Sequence, residues 1–318
     1  MAEAEPETVV GESRASRFAG AADTAWPLAR AVDALAASAR AAGRPGWIWL
    51  AGIGYPTVGI GIALGVFNSR MAIGSSDLSG AFAKDAAGLL LLFPLALFVF
   101  RLQVGLARIA PPGIWERLSQ TFGRPKLRQA WRAGSGLTWA SGGMWLMLQL
   151  MQGIVLALVA VPLVHVSREA MENLGDGWGA LVWVVAVMPL ALMLTLYSVL
   201  LSILHQLALQ SLAHNRRGVS SALLHAWRLA KHDPWSTART VSVDLMLDLS
   251  IWVLNAIVLT AGALLPVVGG LAGIVSLILL GFAGVTRAGY WARAYRALGG
   301  LSPDDGVPGL MESGTPLD

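Results

Sequence analysis

Asp244 and Asp248 are the residues of this chain whose types and spacing could do chemistry. They lie four positions apart inside an apolar run from about 241 to 265. On a helix that spacing places both carboxylates on one face, about 6 Å apart along the axis. A carboxylate at the centre of a bilayer costs about 2.5–3.5 kcal/mol on insertion scales, so such groups turn towards protein and mark either a function or a bond between helices. Two chemistries fit. One is a protonatable or cation-binding site on a transport path, with Gln149, Gln152 and Asn255 as polar neighbours. The other is polar glue between helices, where a contact contributes roughly 0.6–2 kcal/mol. Counted from Trp235, Asp248 stands about 20 Å along the helix, and Asp244 is shallower. Arg101, at the end of another apolar run, is either their counter-ion or a side chain that snorkels to lipid phosphate.

Other constellations are missing. The chain has no cysteine, which removes disulfides, thiolate catalysis and Cys-ligated zinc. Its five histidines are scattered; His225 and His232 are seven apart, with no carboxylate completing a known ligand motif. No glycine-rich loop follows a strand, so nucleotide phosphate binding has no support. No metal, cofactor or catalytic residue is assigned.

The elements that must position the aspartates are membrane helices. Hydrophobic residues make up 55% of the 318 and charged residues only 13%, with a mean hydropathy of +0.62, which places the chain outside the soluble globular range. Apolar runs of about 20 residues, the length needed to cross about 30 Å of hydrocarbon, are expected near 47–67, 86–100, 137–164, 178–213, 241–265 and 267–286. The run from Trp178 exceeds the membrane thickness, contains Pro189 and should project beyond the lipid. Of the 23 Lys and Arg residues, 20 fall on the side that carries both termini, so the positive-inside rule places both termini in the cytoplasm. Residues 1–23 carry Glu3, Glu5, Glu7 and Glu12 and read as a disordered tail, as does 299–318. The excess of Arg over Lys, with abundant Ala and Gly, suggests a high-GC bacterial source and an inner-membrane location. The net charge of +4 and pI near 9.8 fit loops held against anionic lipid better than nucleic acid.

A repeat organises the 24–298 membrane domain. Leu-x4-Arg-x6-Trp occurs at Leu35/Arg40/Trp47, Leu127/Arg132/Trp139 and Leu223/Arg228/Trp235, each time just ahead of an odd-numbered apolar run. The second and third copies share Ala130-Trp131-Arg132 and Ala226-Trp227-Arg228, and Pro94-Leu95-Ala96-Leu97 returns as Pro189-Leu190-Ala191-Leu192. The units run over about 24–107, 108–213 and 214–298. Each is an amphipathic helix lying at the membrane surface, then a hairpin of two spans. In the first, Leu28, Val32, Leu35 and Ala39 form one helical stripe, with Thr24 as its cap. Leu and Trp enter the acyl boundary while Arg40, Arg128, Arg132, Arg228 and Lys231 reach anionic headgroups. Trp47, Trp131, Trp139, Trp227 and Trp235 anchor these segments at headgroup level.

An Ala-Trp-Arg-like helix ahead of each membrane hairpin resembles the membrane-spanning part of some bacterial glycerophosphodiester phosphodiesterases and related multi-pass proteins. The resemblance covers about 24–298 and implies only the membrane portion, because the catalytic barrel of such enzymes needs about 250 further residues. The expected fold is therefore an all-α polytopic bundle: six transmembrane helices as three parallel pseudo-repeated hairpins. The expected function is that of an integral membrane protein without evident catalysis, which organises lipid or binds a membrane-protein partner. A small-solute or ion transporter using Asp244 and Asp248, and an intramembrane lipid-modifying enzyme, are the alternatives.

Overall fold

The computed structural model describes residues 26–43, 48–53, 55, 96–110, 127–155, 176–215, 217–264 and 269–300, with a few single positions between 156 and 175. Every regular element among them is helical. In chain order these are α1 (Leu28–Ala42), α2 (Ile48–Ile53), α3 (96–109), α4 (Leu127–Ala133) and α5 (Thr138–Val155). Then come α6 (Asp176–Asn215), α7 (Val219–His232), α8 (Pro234–Leu264) and α9 (Gly269–Ala297).

Three stretches among the described residues are long and apolar enough to cross a membrane: Met188–Asn215, Pro234–Leu264 and Leu271–Ala297. They mark a membrane protein. Most of the first two expected spans, the end of the third, the 24 and 47 positions and the Gly61/Gly65 pair lie outside the described residues. α6 runs unbroken through Pro189 for 40 residues, about 60 Å, as its uninterrupted apolar sequence implied.

The chain cannot place large side chains where backbones meet, and it uses small ones there. α1 follows Pro27, which stands at its N-cap with extended backbone. Its buried residues are Ala31, Ala34, Ser38 and Ala42, whereas Leu28 and Val32 are about half exposed. α7 repeats the arrangement: Ala222, Ala226 and Leu229 point inward, Leu224 and Trp227 outward. In water the leucines would be the buried set. Here the small face admits a close helix approach, and the large apolar face is left exposed.

α9 lies at the centre of the contacts, packing on α1, α2 and α8 and touching α6; α6 in turn carries α5 and α7. Its closest approach is to α2. A Cβ on Gly284 would overlap the carbonyl oxygen of Gly52, and one on Gly52 would overlap that of Gly281. α3 and α4 meet in the same way, Gly105 lying under the Ala130 carbonyl.

The long helices divide into two zones. On α8 large apolar side chains are exposed from Met246 to Leu264, a length of about 27 Å, close to the thickness of bilayer hydrocarbon. The exposed faces of α6 (Leu181 to Leu196) and α9 (Leu271 to Leu280) continue this belt. At the other end α9 packs on α1, α6 and α8, and α7 on α6 and α8, with Leu207, Leu212, Tyr290, Trp291 and Tyr295 fully buried. The final turns of α9, basic and aromatic in sequence, are thus part of the core. The aromatic rings there fill the space between helices, and the helix runs on to Ala297.

α8 starts on a cap. Asp233 Oδ1 accepts the Ser236 N–H at 2.9 Å, and Pro234 takes the first helical position, where its missing N–H costs nothing. Partial burial pushes the Asp233 carboxyl up, but hydrogen bonds from the Ser236 hydroxyl and backbone N–H, with Arg239 nearby, outweigh this and hold it below the usual carboxylate range. A group whose folded value is depressed contributes fully above its unfolded value and loses that contribution as pH falls through the folded one. Asp233→Ala should therefore cost about 0.5–2 kcal/mol at neutral pH. The gap between wild type and variant should close below about pH 4. Unfolding curves in detergent whose separation is the same at pH 7 and pH 3 would contradict this.

Candidate functional site

The two aspartates meet a cation from the neighbouring helix. α8 presents Asp244 and Asp248 on the face it turns to α9, and α9 answers with Arg287. The Arg287 Nε–H donates to Asp244 Oδ1 at 2.7 Å, and its Nη2 donates to Asp248 Oδ1. Asp244 is fully buried, Arg287 is 4% exposed and Asp248 13%. One guanidinium, whose five donors are fixed in a plane, therefore bridges two carboxylates one helical turn apart. A second bond flanks it: the Tyr290 hydroxyl donates to the Thr240 carbonyl at 3.0 Å. The fully buried Trp291 indole lies near Asp244 without hydrogen-bond geometry, and Asp244 Oδ2 has no partner.

A neutral network adjoins the ions. Tyr55 lies within electrostatic reach of Asp244 and Arg287, and its hydroxyl accepts the Gln210 Nε2–H at 2.9 Å. Gln210 Oε1 is 3.2 Å from His214 Nε2, and Asn215 Nδ2 donates to the Tyr295 hydroxyl at 3.0 Å. These bonds join the chain near α2, α6 and α9 on the packed side of the ion cluster.

The triad stands at the border between the two zones. Met246 and Leu249, at the level of Asp248, are the beginning of the exposed apolar belt, and Asp244 lies one turn inside the packed zone. The exposed face of α8 stays polar through Arg239 and Ser242 before this belt begins.

The other polar candidates do not join the cluster. Gln152 is buried and donates through Nε2 to Ser198 Oγ on α6 at 2.8 Å. Gln149 is half-buried on α5, and Asn255 lies two turns along α8 from Asp248, half-buried, its Oδ1 without a partner. Arg101 is not the counter-ion: its Nε donates to the Trp131 carbonyl at 2.9 Å, and its guanidinium lies 3.9 Å over the Trp131 ring. The true partner, Arg287, was hidden among the basic residues that follow the last apolar run. Its one sequence signal was position: it comes before Tyr290 and Trp291, still within the helix.

The residues expected at lipid are exposed. Arg40, Arg128, Arg132, Arg228 and Lys231 all face outward, and so do Trp139, Trp227 and Trp235. Trp131 is half-buried beneath Arg101 and beside Phe98, with ring centroids 5.1 Å apart. Among the described residues no group of three or more His, Asp or Glu is placed to hold a metal ion. No protein-family model, curated protein or solved structure matches this chain.

Proposed function

We propose that this is a multi-pass protein of the bacterial inner membrane that organises surrounding anionic lipid or a membrane-protein partner, with both termini in the cytoplasm and without catalysis of its own. The observation that carries the reading is the pairing of closed ions inside with lipid-directed groups outside. Arg287 occupies both aspartates, so neither is left as an open acid, base or cation ligand, while five basic residues and three tryptophans face outward beside the apolar belt. The transporter alternative wants both carboxylates open to water, and the full burial of Asp244 weighs against that. The lipid-modifying alternative wants Arg101 or His232 beside the aspartates; Arg101 is bound to Trp131, and His232 is exposed at the end of α7.

The six-span, three-unit architecture is part of this proposal and has support in how the amphipathic helices pack. α1 lies on α9, α4 on α3 and α7 on α6, so each rests on the second helix of a different unit and the sequence of contacts closes on itself. The residue three positions after the repeated Leu is Ser38, Ala130 or Ala226, and all three are buried. Kinship with the membrane part of glycerophosphodiester phosphodiesterases stays a proposal resting on the Ala-Trp-Arg pattern.

The test is lipid selectivity in reconstituted bilayers. Spin-labelled phosphatidylglycerol should be immobilised by the protein in preference to phosphatidylcholine, and Arg132→Gln/Arg228→Gln/Lys231→Gln should abolish the preference while the protein stays folded. Equal immobilisation of both lipids by the wild type, or a proton or cation flux that Asp248→Asn removes, would refute the reading.

A further inference from the structure

The ion cluster between α8 and α9 sets two carboxyl groups on one guanidinium, and the two do not share it on equal terms. Both Oδ1 atoms accept from Arg287. The Asp248 side chain is 13% exposed, whereas Asp244 has no exposure. The charges acting on Asp244 are Arg287, a cation, and Asp248, an anion one turn away. They oppose each other at this carboxyl, which leaves full burial to decide its state, and desolvation favours the neutral form of an acid. The hydrogen bonds point the same way. An ionised carboxylate offers about four acceptor sites. Asp244 fills one from Arg287, and its Oδ2 has no donor. The neighbouring donors are committed or misaligned: the Tyr290 hydroxyl donates to the Thr240 carbonyl, and the Trp291 indole N–H lies outside hydrogen-bond geometry. Tyr55 is held through Gln210, its oxygen accepting the amide N–H.

We infer that Asp244 carries a proton on Oδ2 at neutral pH, which makes the cluster a sealed proton-binding site of one carboxylic acid, one carboxylate and one guanidinium. The charge of Asp248 then balances that of Arg287. With both aspartates ionised, the three side chains would hold an uncompensated negative charge where the apolar belt begins, which is costly at a buried site. Protonation keeps both bonds to Arg287, because Oδ1 of the acid remains an acceptor. The inference rests on the pairing of α8 with α9 and not on lipid or partner binding.

Infrared spectroscopy of the full chain in detergent at neutral pH, in H2O and in D2O, tests this. The expected result is a carboxylic-acid C=O band that shifts on deuteration and is lost in Asp244→Asn. Unfolding should release one more proton from the wild type than from that variant, because an unfolded aspartate is ionised at neutral pH. Calorimetry in buffers of different ionisation enthalpy counts it. Stability identifies the residue that holds the proton. Asp244→Asn replaces a neutral acid by a neutral amide and should keep the wild-type unfolding midpoint. Asp248→Asn removes the carboxylate that balances Arg287 and should lower it. No acid band in the wild type, a band that Asp244→Asn leaves in place, or equal proton release would overturn the inference. So would a larger loss from Asp244→Asn than from Asp248→Asn, which would move the proton to Asp248. The wild-type spectrum needs no variant and stands whether or not Asp248→Asn folds. None of these readouts reports lipid selectivity, so this inference and the lipid-organising reading can fail separately.

Discussion

Arg287→Gln is expected to destabilise the folded protein by about 3–5 kcal/mol, because it leaves two carboxylates at a buried site without their cation. Asp244 has no exposure to solvent, so water cannot take the place of the guanidinium. The physics also predicts the rescue. Removing one member of a buried ion cluster is costly, whereas replacing the whole cluster with apolar groups of similar volume is often neutral or stabilising. The triple variant Arg287→Met/Asp244→Leu/Asp248→Leu should therefore recover most of the stability lost by Arg287→Gln. Unfolding in mixed micelles, followed by circular dichroism, measures both. If Arg287→Gln unfolds with wild-type stability, the triad is not the clamp between α8 and α9. If the triple variant folds well but loses lipid selectivity or a partner, the ions serve more than the hairpin.

The second large effect is expected from a single methyl group. In Gly284→Ala the added Cβ meets the Gly52 carbonyl, a backbone atom with no rotamer to turn aside, so α2 and α9 must separate. Overpacking of this kind costs typically 1–3 kcal/mol and more where backbone opposes backbone. Gly284→Leu should prevent the folded state from accumulating. Gly273→Ala, at a position on the same helix where a Cβ meets nothing, is the control and should be harmless. Equal thermal stability for Gly284→Ala and Gly273→Ala would contradict the close crossing.

What the sequence made legible is what periodicity and hydropathy carry. The apolar runs give α6 nearly to both ends and α8 to its C-terminal end, α8 starting at Pro234 ahead of the expected 241, and the i, i+4 spacing gives the shared face of Asp244 and Asp248. The partner of those aspartates was not legible, for a physical reason. A guanidinium at the edge of the apolar belt has the same local sequence whether it snorkels to phosphate or turns inward, and only the tertiary pairing of α8 with α9 decides. The Trp131 ring made the same decision for Arg101 in the other direction. The amphipathic helices hid something subtler. The Leu28/Val32 stripe was visible, but it is the quieter alanine face that holds α1 to α9. Small residues carry little hydropathy, so the side that packs leaves the weaker signal.

The contact of α1 with α9 also bears on the order in which the molecule can be made. Ser38 and Arg293 are bonded across 255 positions of chain. At a synthesis rate of about 5–20 residues per second, the first helix waits roughly 13–50 s for its partner to emerge. During that interval α1 and α2 have no α9 to cover Ala34, Ser38 or Gly52. The fold can close only after the last helix has entered, and a chain stopped short of residue 281 would leave its first helices without the partner that fixes them.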